Sequence, residues 1–237
     1  MVFVKICGIT QSSTLPICVD NGADAVGFVV GVPDSPRNLT EKQALTLIND
    51  ISPSIQTVVV TSIYSLNEVE YIAGRFSKSK IQVHFRCRLP RFEELCELNL
   101  ERIIPALTAQ QAIHLNPDLP SFQKILNRIP YILIDGSLGM GRLEDVNLAV
   151  RAIKRLHPCK IVLAGGLNSN NLLQVLQIAR PFGVDVSSGV EQAPGIKNPE
   201  RIKTFLTIAK HFEEKSPVFE DYHNKQNLIQ FKVNNDG

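Results

Sequence analysis

Residues 160–190 read KIVLAGGLNSNNLLQVLQIARPFGVDVSSGV, and this stretch decides the fold. It begins with an apolar run, Lys160–Ala164, that leads into two glycines. Asn170–Ala179 then has the apolar spacing of a helix, and Val184–Ser187 is a second short apolar run. Two continuous apolar strands on either side of a helix indicate a β-α-β unit whose parallel strands are buried on both faces.

The same unit recurs along most of the chain. Six further apolar runs precede the two above: Val2–Ile9, Ala25–Val30, Thr57–Thr61, Ile81–His84, Arg102–Ala106 and Tyr131–Asp135. The other predicted helices are Thr14–Asn21, Thr40–Ile51, Ser65–Phe76, Glu144–Leu156 and Pro199–Lys215. Thr40 and Asn198 are predicted N-caps, and Ser65 with Glu68 is a predicted capping box. Leu107–Phe122 contains two prolines and is predicted to be irregular.

Eight such units favour a closed (β/α)8 barrel, since six would suit an open doubly wound sheet. The length of 237 residues is close to the ~250 residues typical of this barrel. We predict one barrel domain over residues 1–215 and a polar, partly disordered tail over 216–237. Within the tail, Leu228–Val233 has the pattern of an edge strand or a partner contact, which is the alternative to a mobile tail.

Composition and charge exclude several classes of partner. The formal net charge is +2, from 25 basic and 23 acidic residues, which argues against a nucleic-acid or membrane surface as the main partner. The five cysteines are Cys7, Cys18, Cys87, Cys96 and Cys159. Their odd number and spacing argue against a disulfide framework and a zinc site, and favour a reducing compartment. We see neither a signal peptide nor a bilayer-spanning run in the sequence, and we expect a cytoplasmic location. We further expect a monomer or homodimer whose partner is a small molecule.

Reactive residue types follow most of the predicted strands, at the edge where active sites of this fold lie. They are Cys7, Arg37, His84, Asp135, Gly165, Gly166, Asp185, Ser188 and Gly189. Core packing does not require such residues at one edge. Each side chain also has a structural alternative. Cys7 and His84 would then serve packing or a structural hydrogen bond, Asp135 would cap a turn, and Arg37 would be an ordinary surface residue.

The glycines predict a phosphate site. Gly165 and Gly166 lie between a strand and a helix, where a phosphate can approach backbone N–H groups. Ser188 and Gly189 offer a second set of donors after the next strand. Because the loops after the seventh and eighth strands form the recurrent phosphate site of this fold, we expect a phosphorylated ligand; the alternative is two tight turns.

Five sequence blocks resemble the phosphoribosylanthranilate isomerase family. They are Val4–Thr10 (VKICGIT), Gly22–Val29 (GADAVGFV), Ser35–Arg37 (SPR), Ala164–Leu167 (AGGL) and Val184–Lys197 (VDVSSGVEQAPGIK). The resemblance covers the chain to about Lys215. It implies an Amadori rearrangement in tryptophan biosynthesis, in which N-(5'-phosphoribosyl)anthranilate becomes 1-(2-carboxyphenylamino)-1-deoxyribulose 5-phosphate.

The resemblance also implies roles for individual residues. Cys7 would be the general base, Asp135 the general acid, and Arg37 the clamp for the anthranilate carboxylate. The amides around Gly165-Gly166 and Ser188-Gly189 would hold the phosphate, and His84 and Asp185 are further substrate-binding candidates. Asp135 must be protonated to open the sugar ring, which burial at a strand end would favour. No metal or organic cofactor is expected, because the iminium intermediate is itself the electron sink.

Two segments depart from the family pattern. His84 is followed by Phe85-Arg86-Cys87, where the family has Gly and an acidic residue. The loop after Asp135 contains Leu138-Gly139-Met140-Gly141-Arg142, where the family often has Gly-Gly-Ser/Thr-Gly-Lys. Met140 therefore replaces a hydroxyl side chain, whereas Arg142 keeps the positive charge.

Two other functions remain open at this point. One is a related aldose–ketose isomerase of histidine synthesis on the same barrel. That family has a pair of aspartates at the ends of the first and fifth strands, and Cys7 at the end of the first strand argues against it. The other is a phosphosugar-binding barrel that no longer catalyses. Turnover separates this second alternative from an enzyme.

Overall fold

The computed structural model describes residues 1–63, 65–85, 100–126, 128–136 and 143–212. Nine strands form one parallel sheet: β1 (Phe3–Ile6), β2 (Ala25–Val30), β3 (Asn38–Leu39), β4 (Gln56–Ile63), β5 (Lys80–Phe85), β6 (Ile103–Leu107), β7 (Ile132–Asp135), β8 (Ile161–Ala164) and β9 (Gly183–Val186). The sheet closes because β1 pairs with both β2 and β9, while the short β3 adds to β2 outside the ring. The predicted (β/α)8 barrel is therefore confirmed.

Helices cover the outside of the barrel between the strands. They are Thr14–Asp20, Glu41–Asn49, Leu66–Arg75, Ala109–His114, Pro120–Leu126, Leu143–Arg155, Leu172–Ala179 and Pro199–Lys210. None of the helices in the described ranges combines the length and apolarity that crossing a bilayer requires. The last helix ends at Lys210 rather than at the predicted Lys215. The predicted tail 216–237 lies outside the described residues.

Alternation along each strand divides the buried residues into two cores. The larger core lies between the strands and the helices and includes Val4 and Ile6 of β1. The smaller core fills the barrel, and its fully or nearly fully buried members are Cys7, Ala25, Val29, Val58, Val60, Ile104, Ala106, Tyr131, Leu133, Val162 and Ala164. The same alternation points the polar side chains of Lys5, Gln82 and Asp185 inward, and all three are buried.

The segment that the prolines predict to be irregular is helical over Ala109–His114 and again from Pro120, so the prediction is wrong there, whereas residues 115–119 between the two helices are irregular. Thr108 caps the helix Ala109–His114 through a capping box with Gln111, in which each side chain accepts a hydrogen bond from the other residue's backbone N–H. Pro120 begins the next helix, Pro120–Leu126. Proline is well tolerated there because the first-turn N–H has no partner within a helix.

The predicted helix caps differ in outcome. Thr40 accepts a hydrogen bond from the backbone N–H of Gln43, and Asn198 accepts one from Arg201, which confirms both. The predicted capping box at Ser65 is wrong. Its hydroxyl donates instead to the Glu68 carboxylate over 3.0 Å and makes no hydrogen bond to the helix backbone.

Close packing between β1 and β9 predicts a strong effect of adding one methyl group. A Cβ on Gly183 would lie 2.6 Å from the carbonyl oxygen of Phe3 and 2.8 Å from its Cβ. We expect Gly183→Ala to lower the free energy of unfolding by about 1–3 kcal/mol, because overpacking pushes two paired strands apart. Urea unfolding followed by circular dichroism measures this change.

The matched control is Gly74→Ala in the helix Leu66–Arg75, where an added Cβ meets no atom within 4 Å. It should raise the free energy of unfolding by up to about 1 kcal/mol, because glycine is a poor helix former. A Gly183→Ala protein as stable as the Gly74→Ala protein would contradict the packing described for the barrel seam.

Candidate active site

A cavity of about 220 Å³ opens at the carboxyl-terminal end of the barrel. It is lined by Cys7, Val60, Gln82, His84, Leu133, Asp135, Ala164, Gly165, Gly166, Leu167, Asp185, Ser187 and Ser188. Of the residues that the sequence singles out, only Arg37 and Gly189 are missing from this lining. Side chains far apart in the chain thus meet at the strand ends, where active sites of this fold lie.

Cys7 directly follows β1, is buried and lines the cavity. Its Sγ is 2.8 Å from the position that a Cβ on Gly27 would occupy, so the glycine of the neighbouring strand makes room for the thiol. Burial raises the pKa of Cys7 above its ordinary value, and the nearby Lys5 opposes that rise. The free protein therefore holds Cys7 mainly as the neutral thiol at neutral pH.

Asp135 ends β7 on the opposite side of the same cavity. The burial expected for its carboxyl is wrong, because Asp135 is exposed. Gly165 lies tightly against it: a Cβ there would be 2.7 Å from Asp135 Oδ1 and 2.0 Å from the carbonyl oxygen of Gly136. The loop 137–142, with Met140 and Arg142, lies outside the described residues.

Gln82 and His84 stand on the same inner face of β5, and Gln82 has no predicted role. The Gln82 amide nitrogen lies 2.9 Å from Nε2 of His84, so in this orientation the imidazole accepts the hydrogen bond. Burial lowers the pKa of His84, which keeps the ring neutral. The Gln82 Oε1 is buried without a partner among the described residues, and it is available to a ligand hydroxyl. Its spacing of two residues from His84 is the sequence signal for a shared face.

Lys5 and Asp185 form an ion pair inside the barrel, beneath the cavity. Lys5 Nζ lies 2.7 Å from Asp185 Oδ2, and the lysine side chain is fully buried. Burial alone would lower the pKa of Lys5, but interactions with Asp185, Cys7 and Tyr131 together outweigh burial and raise the pKa. The second oxygen, Asp185 Oδ1, is buried without a partner among the described residues, and Asp185 lines the cavity. Lys5 has no predicted role, although it stands two residues before Cys7 on one strand.

Arg37 is held beside the cavity by a carboxylate of the chain itself. Its Nε and Nη2 donate to the two carboxylate oxygens of Glu191 over 2.7 and 2.6 Å. Lys197 donates to the same carboxylate over 2.8 Å. Burial alone would raise the pKa of Glu191, but Arg37 and Lys197 hold it below its ordinary value. The sequence predicts Arg37 as a clamp for a ligand, and the structure shows one edge of its guanidinium occupied.

The other edge of Arg37 remains suited to a ligand. Glu191 accepts hydrogen bonds from Nε and from one hydrogen of Nη2. Among the described residues, this leaves Nη1 and the second hydrogen of Nη2 as a fork that can bind another carboxylate. Gly8 brings this side chain close to Cys7. A Cβ on Gly8 would lie 2.5 Å from Arg37 Cδ and 2.9 Å from the hydroxyl oxygen of Ser187. Only a glycine, here with φ of +75°, lets the arginine stem pack across this strand end.

The two glycine loops lie against each other, as a shared phosphate site requires. A Cβ on Gly189 would be 1.9 Å from the carbonyl oxygen of Leu167, so the loop after β9 contacts the loop after β8. Asn171 braces the first loop: its Oδ1 accepts from the Asn168 N–H over 2.9 Å, and its Nδ2 donates to the Gly166 carbonyl over 3.1 Å. Gly165, Gly166 and Ser188 all line the cavity, where an anion can reach backbone N–H groups.

Comparisons with known proteins agree with this geometry. The sequence model of a family described as N-(5'phosphoribosyl)anthranilate (PRA) isomerase matches residues 4–207. A curated relative of that name from Pelobacter propionicus is 35% identical over 221 residues, which span 91% of this chain and 99% of the relative.

Solved structures are similar over nearly the whole chain. A phosphoribosylanthranilate isomerase in complex with reduced 1-(o-carboxyphenylamino)-1-deoxyribulose 5-phosphate has a TM-score of 0.68 and 32% identity, covering 90% of this chain and 100% of that one. Monomers generated from the dimeric isomerase of Thermotoga maritima give a TM-score of 0.70 and 31% identity, with the same coverage. On its sequence and its structure, this chain belongs to the phosphoribosylanthranilate isomerase family.

Proposed function

We propose that this chain isomerises N-(5'-phosphoribosyl)anthranilate to 1-(2-carboxyphenylamino)-1-deoxyribulose 5-phosphate, a step of tryptophan biosynthesis. The observation that carries the proposal is a single cavity. It unites Cys7 and Asp135 with the two glycine loops, in a member of the isomerase family. A related isomerase binds the reduced form of that product, which supports the substrate class.

The first chemical step opens the sugar ring. Asp135, as the carboxylic acid, gives its proton to the ring oxygen while the bond between that oxygen and C1' breaks. The lone pair of the anthranilate nitrogen forms the C1'=N bond, and the result is an iminium. Asp135 is exposed at the cavity, so its carboxyl group is in contact with both the substrate and the solvent.

The second step transfers a proton from carbon. Cys7 as thiolate takes the C2' proton, the C–H electron pair forms the C1'=C2' bond, and the iminium electron pair returns to nitrogen. The resulting enolamine takes a proton from solvent at C1' and releases its hydroxyl proton to solvent, which gives the ketone. The Cys7 thiol then gives up the proton that it took, and Asp135 regains the one that it gave. One acid and one base thus carry the reaction, and no electrons enter or leave the substrate.

Substrate binding uses the remaining groups of the cavity and its rim. The free fork of Arg37 holds the anthranilate carboxylate, while Glu191 fixes the guanidinium from the other side. Backbone N–H groups around Gly165-Gly166 and Ser188-Gly189 hold the phosphate. The unpaired oxygens of Asp185 and Gln82 accept hydrogen bonds from the sugar hydroxyls, because both are buried polar atoms that otherwise lack a partner in the described part of the chain.

A cytoplasmic location and a monomeric or homodimeric state belong to the same proposal. The mechanism needs Cys7 as a free thiol, which a reducing compartment maintains. The isomerase of Thermotoga maritima is dimeric, and monomers generated from it also fold as this barrel. Both states are therefore compatible with the fold. Light scattering of the purified chain distinguishes them.

The acid–base assignment predicts large and separable losses of activity. We expect Cys7→Ala and Asp135→Asn each to lower kcat at least ~100-fold, because each removes one proton-transfer group. Turnover is followed as loss of substrate fluorescence, with the unstable substrate made in place from anthranilate and a phosphoribosyl donor.

The controls are Cys18→Ala and Asp118→Asn, which remove a thiol and a carboxylate that do not line the cavity. Both should keep near wild-type turnover. A folded wild-type protein without turnover would contradict the isomerase and leave phosphosugar binding as the function. Full activity of Cys7→Ala would contradict only the assignment of Cys7 as the base.

The carboxylate clamp predicts a different kinetic signature. Arg37→Lys should raise KM at least ~10-fold with a smaller change in kcat, since a lysine ammonium cannot form the paired hydrogen bonds of a guanidinium fork. The measurement compares the substrate with its analogue made from aniline, which lacks the carboxylate. Wild type should discriminate strongly between the two, and Arg37→Lys only weakly.

Arg75→Lys is the matched control, because Arg75 also pairs with a carboxylate but its side chain is exposed and does not line the cavity. It should discriminate as the wild type does. Equal discrimination by the wild-type and Arg37→Lys proteins would place the substrate carboxylate elsewhere.

A further inference from the structure

The barrel places several charged groups around Cys7. Two ion pairs are buried, Lys5 with Asp185 and Lys197 with Glu191. At the rim, Arg37 shares Glu191 and is 21% exposed, and Asp135 lines the same cavity but is exposed. Among these cations, Lys5 is fully buried, where its charge is least screened by solvent.

Lys5 is the cation that reaches Cys7 from within the barrel. The two residues stand two apart on β1, so their side chains project to the same inner face. A Cβ on Gly27 would lie 3.2 Å from Lys5 Cε and 2.8 Å from Cys7 Sγ. The end of the Lys5 side chain, at Cε, and the Cys7 thiol therefore share the space that Gly27 leaves open.

We propose that Lys5 is a positioning residue that supplies the counter-charge when Cys7 ionises to the thiolate. The inference rests on the proposed role of Cys7 as the base and deepens it. Asp185 then has a second task besides binding substrate. By holding Lys5 through Oδ2, it limits how much positive charge the thiol experiences.

Two further titratable groups near the thiol, Tyr131 and His84, stay neutral, and the carboxylate of Asp135 faces the cavity from the end of β7. Burial raises the pKa of the Tyr131 hydroxyl and lowers the pKa of His84, so neither ring carries a charge near neutral pH. Burial likewise raises the pKa of Cys7, while Lys5 and then Lys197 lower it and Asp185 raises it. Loss of the Lys5 charge should thus move the thiol further from use as a base.

The test measures the thiol directly rather than through turnover. Iodoacetamide reacts with thiolate, so the alkylation rate of Cys7 against pH, read by mass spectrometry of its peptide, gives the midpoint of thiol ionisation. We expect Lys5→Met to move this midpoint upward by about 1–3 pH units, the range for loss of one close opposite charge. Asp185→Asn should move it downward, because that change removes an anion and frees Lys5.

Opposite shifts distinguish an electrostatic role from a structural one. Lys210→Met is the matched control: it removes a lysine that pairs with Asp24 over 2.5 Å, away from the cavity, and should leave the Cys7 midpoint unchanged. Equal midpoints in Lys5→Met and wild type, or an upward shift in Asp185→Asn, would overturn the inference. If Lys5→Met does not fold, Asp185→Asn still decides, since a fall in the midpoint supports the inference and no change overturns it.

The outcome is independent of the proposed function. Alkylation requires no turnover, so the opposite shifts can be observed whether or not the chain isomerises the substrate. Full activity of Cys7→Ala, by contrast, would show that Cys7 is not the base, and the ionisation measured for the wild-type thiol would still stand.

Discussion

The ion pair of Lys5 with Asp185 sits where the barrel closes, and much of the structure depends on it. The two residues are direct partners in the register between β1 and β9, the first and last strands of the ring. Their contact of 2.7 Å lies in the interior, with Lys5 fully buried. Removal of one partner from such a pair typically costs about 3–5 kcal/mol, because the other charge remains buried. The same pair therefore constrains both the closure of the barrel and the polar floor of the cavity.

Above that floor, the two groups assigned to proton transfer occupy opposite environments. Cys7 is buried beside Lys5, whereas Asp135 is exposed at the end of β7. A thiol needs a nearby cation to become a base, and the exposed Asp135 is in contact with solvent. Arg37 lies at the rim, where Glu191 orients one edge of its guanidinium and leaves the other edge for the proposed contact with the substrate carboxylate.

The sequence predicts local features well and long-range pairings poorly. Strand and helix patterns such as Ala25–Val30 give the eight-fold alternation, and the glycine loops give the phosphate site as a prediction. The predicted irregular segment is wrong over Ala109–His114 because both prolines lie beyond that helix, which Thr108 and Gln111 cap. The predicted burial of Asp135 is wrong because an apolar strand pattern does not determine whether the last residue of the strand is covered. Pairs such as Arg37 with Glu191 are separated by 154 residues and become visible only in the folded barrel.

A crystal structure of this protein with reduced 1-(o-carboxyphenylamino)-1-deoxyribulose 5-phosphate, the ligand bound by a relative, tests the central claim most directly. The phosphate should lie on the backbone N–H groups around Gly165-Gly166 and Ser188-Gly189, and the carboxylate on the free edge of Arg37. Cys7 Sγ should approach C2' to about 3–3.5 Å, as a reacting pair must. A ligand bound in the opposite direction, or with C2' far from Cys7, would contradict the assignment of the base and of the phosphate site.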